Sequence, residues 1–163
     1  PAFAILFGLA FWEMLQGRDR SFLARATAIL ASQMVTPIAF SLGNNPQNWA
    51  RMWVATVILS LYFVGTIPYV KTLIRERGDV LWIRLSVGYH ALVLVVAVVL
   101  GALGILSRWI SALWLLLLMR SVAFPAWSTA IGKPLRPAVI GFAEIAVSVA
   151  TVLALVLPTN LIY

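Results

Sequence analysis

Apolar residues run along this chain in long blocks, broken by short polar stretches, without the alternation of a strand. A bilayer core takes about 20 consecutive apolar residues as a helix. Six blocks approach that length and predict helices over 2–16, 22–42, 49–70, 83–106, 108–124 and 138–157. The expected fold is all-α: a polytopic transmembrane helix bundle forming one domain over 1–163. The first block is short and starts at Pro1 without an initiating Met, so the chain reads as a fragment with earlier residues missing.

The interruptions have local causes. Gly17 ends the first block, and Gly43-Asn44-Asn45-Pro46 is turn chemistry in which the proline stops helix continuation. Gly78-Asp79 makes the third turn, and Pro125, Pro134 and Pro137 punctuate the fifth connection. Pro37 and Pro68 fall inside helices, where each removes a backbone hydrogen bond and is expected to kink the rod. Trp49, Trp53, Trp82, Trp109 and Trp127 fall near helix ends, as an aromatic belt does.

Composition then removes alternatives. With 63% hydrophobic and 10% charged residues and a mean hydropathy of +1.00, an ordinary soluble domain is excluded. There is no cysteine, hence no disulfide and no thiolate chemistry, and His90 is the only histidine, which excludes a multi-histidine metal site within this chain. Gly101 and Gly104 lie in an apolar helix and serve packing rather than a phosphate loop.

Charge adds orientation. Arg18, Arg20 and Arg25 surround the first connection, Lys71, Arg75, Arg77 and Arg84 the third, and Arg120, Lys133 and Arg136 the fifth. Only Arg51 and Arg108 lie at the second and fourth. The positive-inside rule places the first, third and fifth connections in the cytoplasm, an alternation that works with six helices and would fail with five. The net charge of +7 is thus mainly a topology signal. Nucleic-acid binding is a poor reading, because the basic residues are divided among short loops.

Ionisable groups inside a span are costly and usually face the bundle interior. Glu13, Arg25 and Arg120 fall near the cytoplasmic ends of their helices. His90 lies six residues beyond Arg84 and Glu144 six beyond Ala138, so each is about 9 Å deeper than its reference residue. Facing inward, these groups would line a polar cavity open to the cytoplasm. Glu144 cannot snorkel far, and a salt bridge to Arg120 or Arg136 or a functional role both remain open; Arg25, Arg84 and Arg120 could instead snorkel to head groups. Lys71, Arg75, Arg77 and Arg84 are either a positive-inside anchor or an anion site, with Glu76 and Asp79 partly cancelling their field.

The runs LYFVGTIPYVKTLIRERG, SVGYH and KPLRPAVIGFAEIAVS resemble the YwiC-like family of bacterial integral membrane proteins, over most of the chain from Trp53 to Val149. That family carries a His-Gly-Ala-Trp motif in an N-terminal part not contained here. Where it tends to show E-R-S-x-x-N-D, this chain reads R-D-R-S-F-L-A-R, with Ala24-Arg25 in place of the Asn-Asp pair, which puts any role of that pair in doubt. The family has no established activity, so the resemblance implies a location in the bacterial cytoplasmic membrane more than a reaction.

The order of helices and loops is also similar to the later part of UbiA-type intramembrane prenyltransferases, nine-helix bundles with carboxylate-rich cytoplasmic loops. That resemblance places the Lys71–Arg84 loop where those enzymes carry their second Asp-rich motif. Prenyl transfer uses Mg²⁺ to neutralise pyrophosphate, and Mg²⁺ wants carboxylate and water oxygens. Here Glu76 and Asp79 are outnumbered by four cations, which suits direct binding of an anionic lipid or isoprenoid diphosphate better than a metal-bridged one. The expected function is a cytoplasm-facing cavity for an anionic lipid or isoprenoid-type ligand. Lys71, Arg75, Arg77 and Arg84 would meet the head group, and His90 and Glu144 would orient it or handle protons. The alternatives are a divergent prenyltransferase, the one case that implies Mg²⁺, and a proton-coupled transporter.

Overall fold

The computed structural model describes residues 2–18, 21–43 and 48–156, and among them it is all-helical. Pro1, Arg20, the turn residues Asn44, Asn45 and Pro46, and the last residue of the expected 138–157 helix lie outside the described residues. The helices are α1 Ala2–Leu15, α2 Phe22–Gln33, α3 Val35–Ser41, α4 Trp49–Leu73, α5 Val80–Ala102, α6 Arg108–Ala130 and α7 Pro137–Val156. Five stretches are long and apolar enough to cross a membrane: 22–41, α4, α5, α6 and α7. Their outer faces carry Leu92, Val95, Val99, Ile145 and Val152, all exposed. Apolar surface on this scale is unstable in water and natural against lipid, so the chain reads as a membrane protein.

The chain forms two compact units that meet in sequence between Ile67 and Pro68. That point lies inside α4, where Pro68 has no N–H to offer the carbonyl of Val64.

In the first unit, α1 and α2 pack as a hairpin. Gly17, at φ +67°, ends α1 in the left-handed conformation. The Gly17 amide bonds Met14 O at 3.0 Å and the Arg18 amide bonds Glu13 O at 2.9 Å, the paired bonds of a Schellman cap. Ser21 opens α2, its Oγ accepting from the Ala24 amide at 3.0 Å. The same hydroxyl donates to Glu13 at 2.9 Å, and Arg18 reaches that carboxylate at 3.5 Å. Glu13 is therefore a turn fastener, and Arg25, on α2, is partly buried. The expected 22–42 helix breaks at Met34. The reason is Pro37, which cannot donate to Gln33 O, so the chain tightens and the Met34 amide bonds Ala31 O instead.

In the second unit α5 and α6 form a closely packed pair, reversed through Gly104 at φ +70°. The buried stripe of α5 is Ser86, His90, Val93, Ala97 and Gly101, the three-and-four spacing of one helix face. Small residues there let backbones approach: a Cβ on Gly101 would sit 3.5 Å from Ser111 Oγ. Facing it, α6 buries Ile110, Leu113, Trp114, Leu117, Arg120 and Ser121. The end of α4 joins the start of α7 through a cluster of Tyr69, Leu73, Leu135 and Ile140.

Boundaries of α5, α6 and α7 differ from expectation in this unit. Helix α6 continues past 124 to Ala130 with Pro125 buried inside it. An apolar environment favours continuing the helix over exposing several backbone groups, and one lost bond at proline is the smaller cost. Pro137 opens α7 rather than ending a loop, because the first helical position has no internal partner for its N–H anyway. Helix α5 spans 80–102 rather than 83–106, since Asp79 caps it early by accepting from the Leu81 amide at 2.7 Å. Asp79→Ala should cost about 1 kcal/mol and speed amide exchange in the first turn of α5; unchanged exchange would remove the cap from the account.

Candidate functional site

Two groups of polar residues stand out, both in the second unit. The first lies at the loop end. Helix α4 carries Lys71 in its last turn, and the chain then reverses through Gly78 at φ +82°. The Glu76 amide bonds Lys71 O at 2.8 Å and the Asp79 amide bonds Glu76 O at 3.1 Å. This turn does not gather the four cations. Lys71 Nζ stands 3.8 Å over the Trp82 ring, a cation–π contact that occupies it. Arg75 and Arg84 are exposed, and Glu76 is partly buried.

Arg77 alone of the four lines a cleft of about 200 Å³, together with Gly78, Ser128, Thr129, Gly132 and Lys133. The third and fifth connections therefore meet at one end of this unit, as the alternation of helices requires. Two cations face the cleft and no carboxylate lines it. The Ser128 hydroxyl donates to Lys133 O at 3.3 Å, and Thr129 donates to Pro125 O at 3.0 Å, which stitches the end of α6 to its loop. The C-terminal carbonyls of α6 give this end a partial negative charge, and Lys133 sits where it offsets that charge. In sequence Lys133 counts only toward topology; its place in one cleft with Arg77 depends on two loops folding together. Asp79 is engaged as the α5 cap, and no group of three acidic or histidine residues that could hold a metal occurs among the described residues.

The second group lies in the interior. Arg120 on α6 is buried, and its Nη1 donates to both carboxylate oxygens of Glu144 on α7 at 2.6 Å. Its guanidinium lies 4.1 Å over the ring of Tyr69, from the end of α4. Arg120 thus does not snorkel to a head group, and the partner of Glu144 is Arg120 rather than the exposed Arg136. His90 on α5 is 1% exposed, and its ring is 6.2 Å from that of Trp114. Nδ1 of His90 bonds the carbonyl of Ser86 at 2.7 Å.

The expected single cavity thus resolves into two places within this unit. Arg77 and Lys133 line a surface cleft, while buried Arg120 pairs with partly buried Glu144, and His90 is buried on α5. On α6, Arg120 and Ser128 are eight residues apart, about 12 Å along the axis. Neither His90 nor Glu144 lines the cleft. Glu13 and Arg25 belong to the first unit and its hairpin. Three members of the interior cluster escape sequence reasoning: Tyr69, Trp114 and Ser86. Tyr69 and Trp114 look like ordinary apolar-face aromatics, whereas the Ser86–His90 spacing of one helical turn was a visible signal. No family model, curated protein or solved structure matches this chain.

Proposed function

We propose that this chain is part of a YwiC-like integral membrane protein of the bacterial cytoplasmic membrane, its basic loops facing the cytoplasm. Its second unit holds the anionic head group of a lipid or isoprenoid-type ligand between Arg77 and Lys133. The carrying observation is the cleft itself: two cations from different loops, no carboxylate, and a place at a helix end where head groups lie. Arginine binds phosphate oxygens in a fork, and lysine adds a point charge. Lys71 is committed to Trp82, and Arg75 and Arg84 serve as anchors that set topology. Direct ion pairing fits these residues better than a metal bridge, because Asp79 is occupied and Glu76 stands without a carboxylate cluster. That ranks the prenyltransferase reading second.

Native mass spectrometry of the full-length protein with dioleoyl phosphatidic acid or farnesyl phosphate tests this. Arg77→Gln and Lys133→Gln should each weaken retention about tenfold, roughly 1.4 kcal/mol, while Arg75→Gln leaves it unchanged. Equal retention by all three variants would return the cluster to a pure anchor.

One observation favours a transporter as a further alternative: an ion pair between Arg120 and Glu144 and a buried histidine all fall within the spans, where proton-coupled carriers place such groups. Proton flux into liposomes, abolished by Glu144→Gln, would support it, and absence of flux would dismiss it.

A further inference from the structure

Serine and threonine hydroxyls inside an apolar helix normally return their hydrogen to a carbonyl three or four residues back. Thr27, Thr56, Ser60, Thr72, Ser121 and Thr151 are all buried and all do so, at 2.7 to 3.1 Å. Ser86 does not. It is 0% exposed, and its Oγ has no hydrogen-bond partner. One turn later on the same face, His90 is equally buried and its Nε2 has no partner either.

The chemistry of that pair is specific. A backbone carbonyl only accepts, so the bond between His90 Nδ1 and Ser86 O places the proton on Nδ1. In the neutral ring Nε2 then carries a lone pair and needs a donor. Ser86 Oγ has a hydrogen to give and lone pairs to receive. A hydroxyl can donate to one and accept from the other through a single atom. A carboxylate or phosphate would set its own lone pairs against Nε2, and an ammonium could not accept from Oγ. Each buried orphan costs about 1–3 kcal/mol, so one partner serving both would stabilise this helix face.

We propose that Ser86 and His90 form a binding site for a single hydroxyl group within the membrane-spanning part of the second unit. The hydroxyl belongs either to water or to a lipid-soluble alcohol. It donates to His90 Nε2 and accepts from Ser86 Oγ, with the Trp114 ring flanking the imidazole. The site stands independently of the anion cleft, to which neither residue contributes.

Nitrogen-15 NMR of histidine-labelled full-length protein in lipid nanodiscs tests this, with the resonance assigned through His90→Asn. The expected spectrum has a protonated Nδ1 and an Nε2 shifted upfield of a free imine nitrogen, as acceptance of a hydrogen bond requires. Ser86→Ala, which a helix tolerates well, should move Nε2 back toward the free position. Two arms separate the sources. Cross-peaks between Nε2 and exchangeable solvent protons identify water; loss of those peaks with a new Nε2 shift on adding 1-decanol identifies an alcohol. A wild-type Nε2 at the free-imine position, or a proton on Nε2 instead of Nδ1, would overturn the proposal without recourse to any variant.

Discussion

Glu144→Leu should destabilise the protein by about 3–5 kcal/mol, far more than its single methylene-scale change in volume would suggest. The substitution leaves the Arg120 guanidinium buried against the Tyr69 ring without its counter-charge. Arg120→Met should cost less, because Glu144 is the more exposed partner and can take up a proton, whereas arginine stays charged. The double variant Arg120→Met/Glu144→Leu should recover most of the loss, since two apolar groups of similar length need no desolvation of charge. Unfolding in mixed micelles, followed by circular dichroism, supplies the cycle. A double variant whose loss equals the sum of the singles would mean that the two residues do not act as a pair. Because α6 packs more closely on α5 than on α7, this ion pair is also a main fastening of the last helix, and the singles should increase protease sensitivity of the 130–137 connection.

Trp114→Ala is expected to lower stability by about 2–3 kcal/mol, less than the 3–5 kcal/mol typical of an aromatic truncation in a water-soluble core. Trp114 is 1% exposed, and the face that carries it also buries Ile110 and Leu117 completely. In lipid the transfer of apolar surface from water no longer contributes, so the loss comes from forfeited packing contacts and the cavity left behind. The same variant removes the ring beside His90 and should shift the imidazole resonances. Trp109→Ala, on the same helix but exposed, is the control and should change stability little. Equal effects at both positions would show that burial on this face does not govern the packing.

Much of the architecture is legible because it depends on short-range composition. The five membrane-length stretches follow from runs of apolar residues, and the turn between α4 and α5 follows from Gly78 and Asp79, whereas Gly104, expected inside a helix, lies beyond the end of α5 and turns the chain. The departures occur where a local signal has two meanings. Proline reads as a stop, yet Pro125 is carried inside α6 and Pro137 starts α7, because the cost of proline depends on which carbonyl it deprives of a partner. Pro37 shows the opposite outcome, dividing a single stretch at Met34.

The candidate site was legible in part. That Glu144 needs a cation follows from its place within an apolar run, and that the cation is Arg120 rather than Arg136 does not. Helical periodicity places Ser86 and His90 on one face, but not the failure of Ser86 to bond back to its own helix. For the basic loop, residue types alone suggested four equivalent cations, while the fold gives them different work: Lys71 on Trp82, Arg77 in the cleft, Arg75 and Arg84 at the surface.

The sequence by itself therefore determined that the chain is helical, apolar enough to reside in a membrane, and unequally charged across its connections. Those properties are sums over neighbouring residues, and the bilayer's demand for satisfied backbone leaves a helix as the answer for each run. Tertiary structure alone decided which polar groups meet. Arg77 and Lys133 come to line one cleft and Arg120 reaches Glu144, because groups 24 or more residues apart in sequence meet only as helices pack and loops turn. In a low-dielectric interior such pairings are electrostatically stronger than in water, and the two long-range ones depend on contacts that no local pattern encodes.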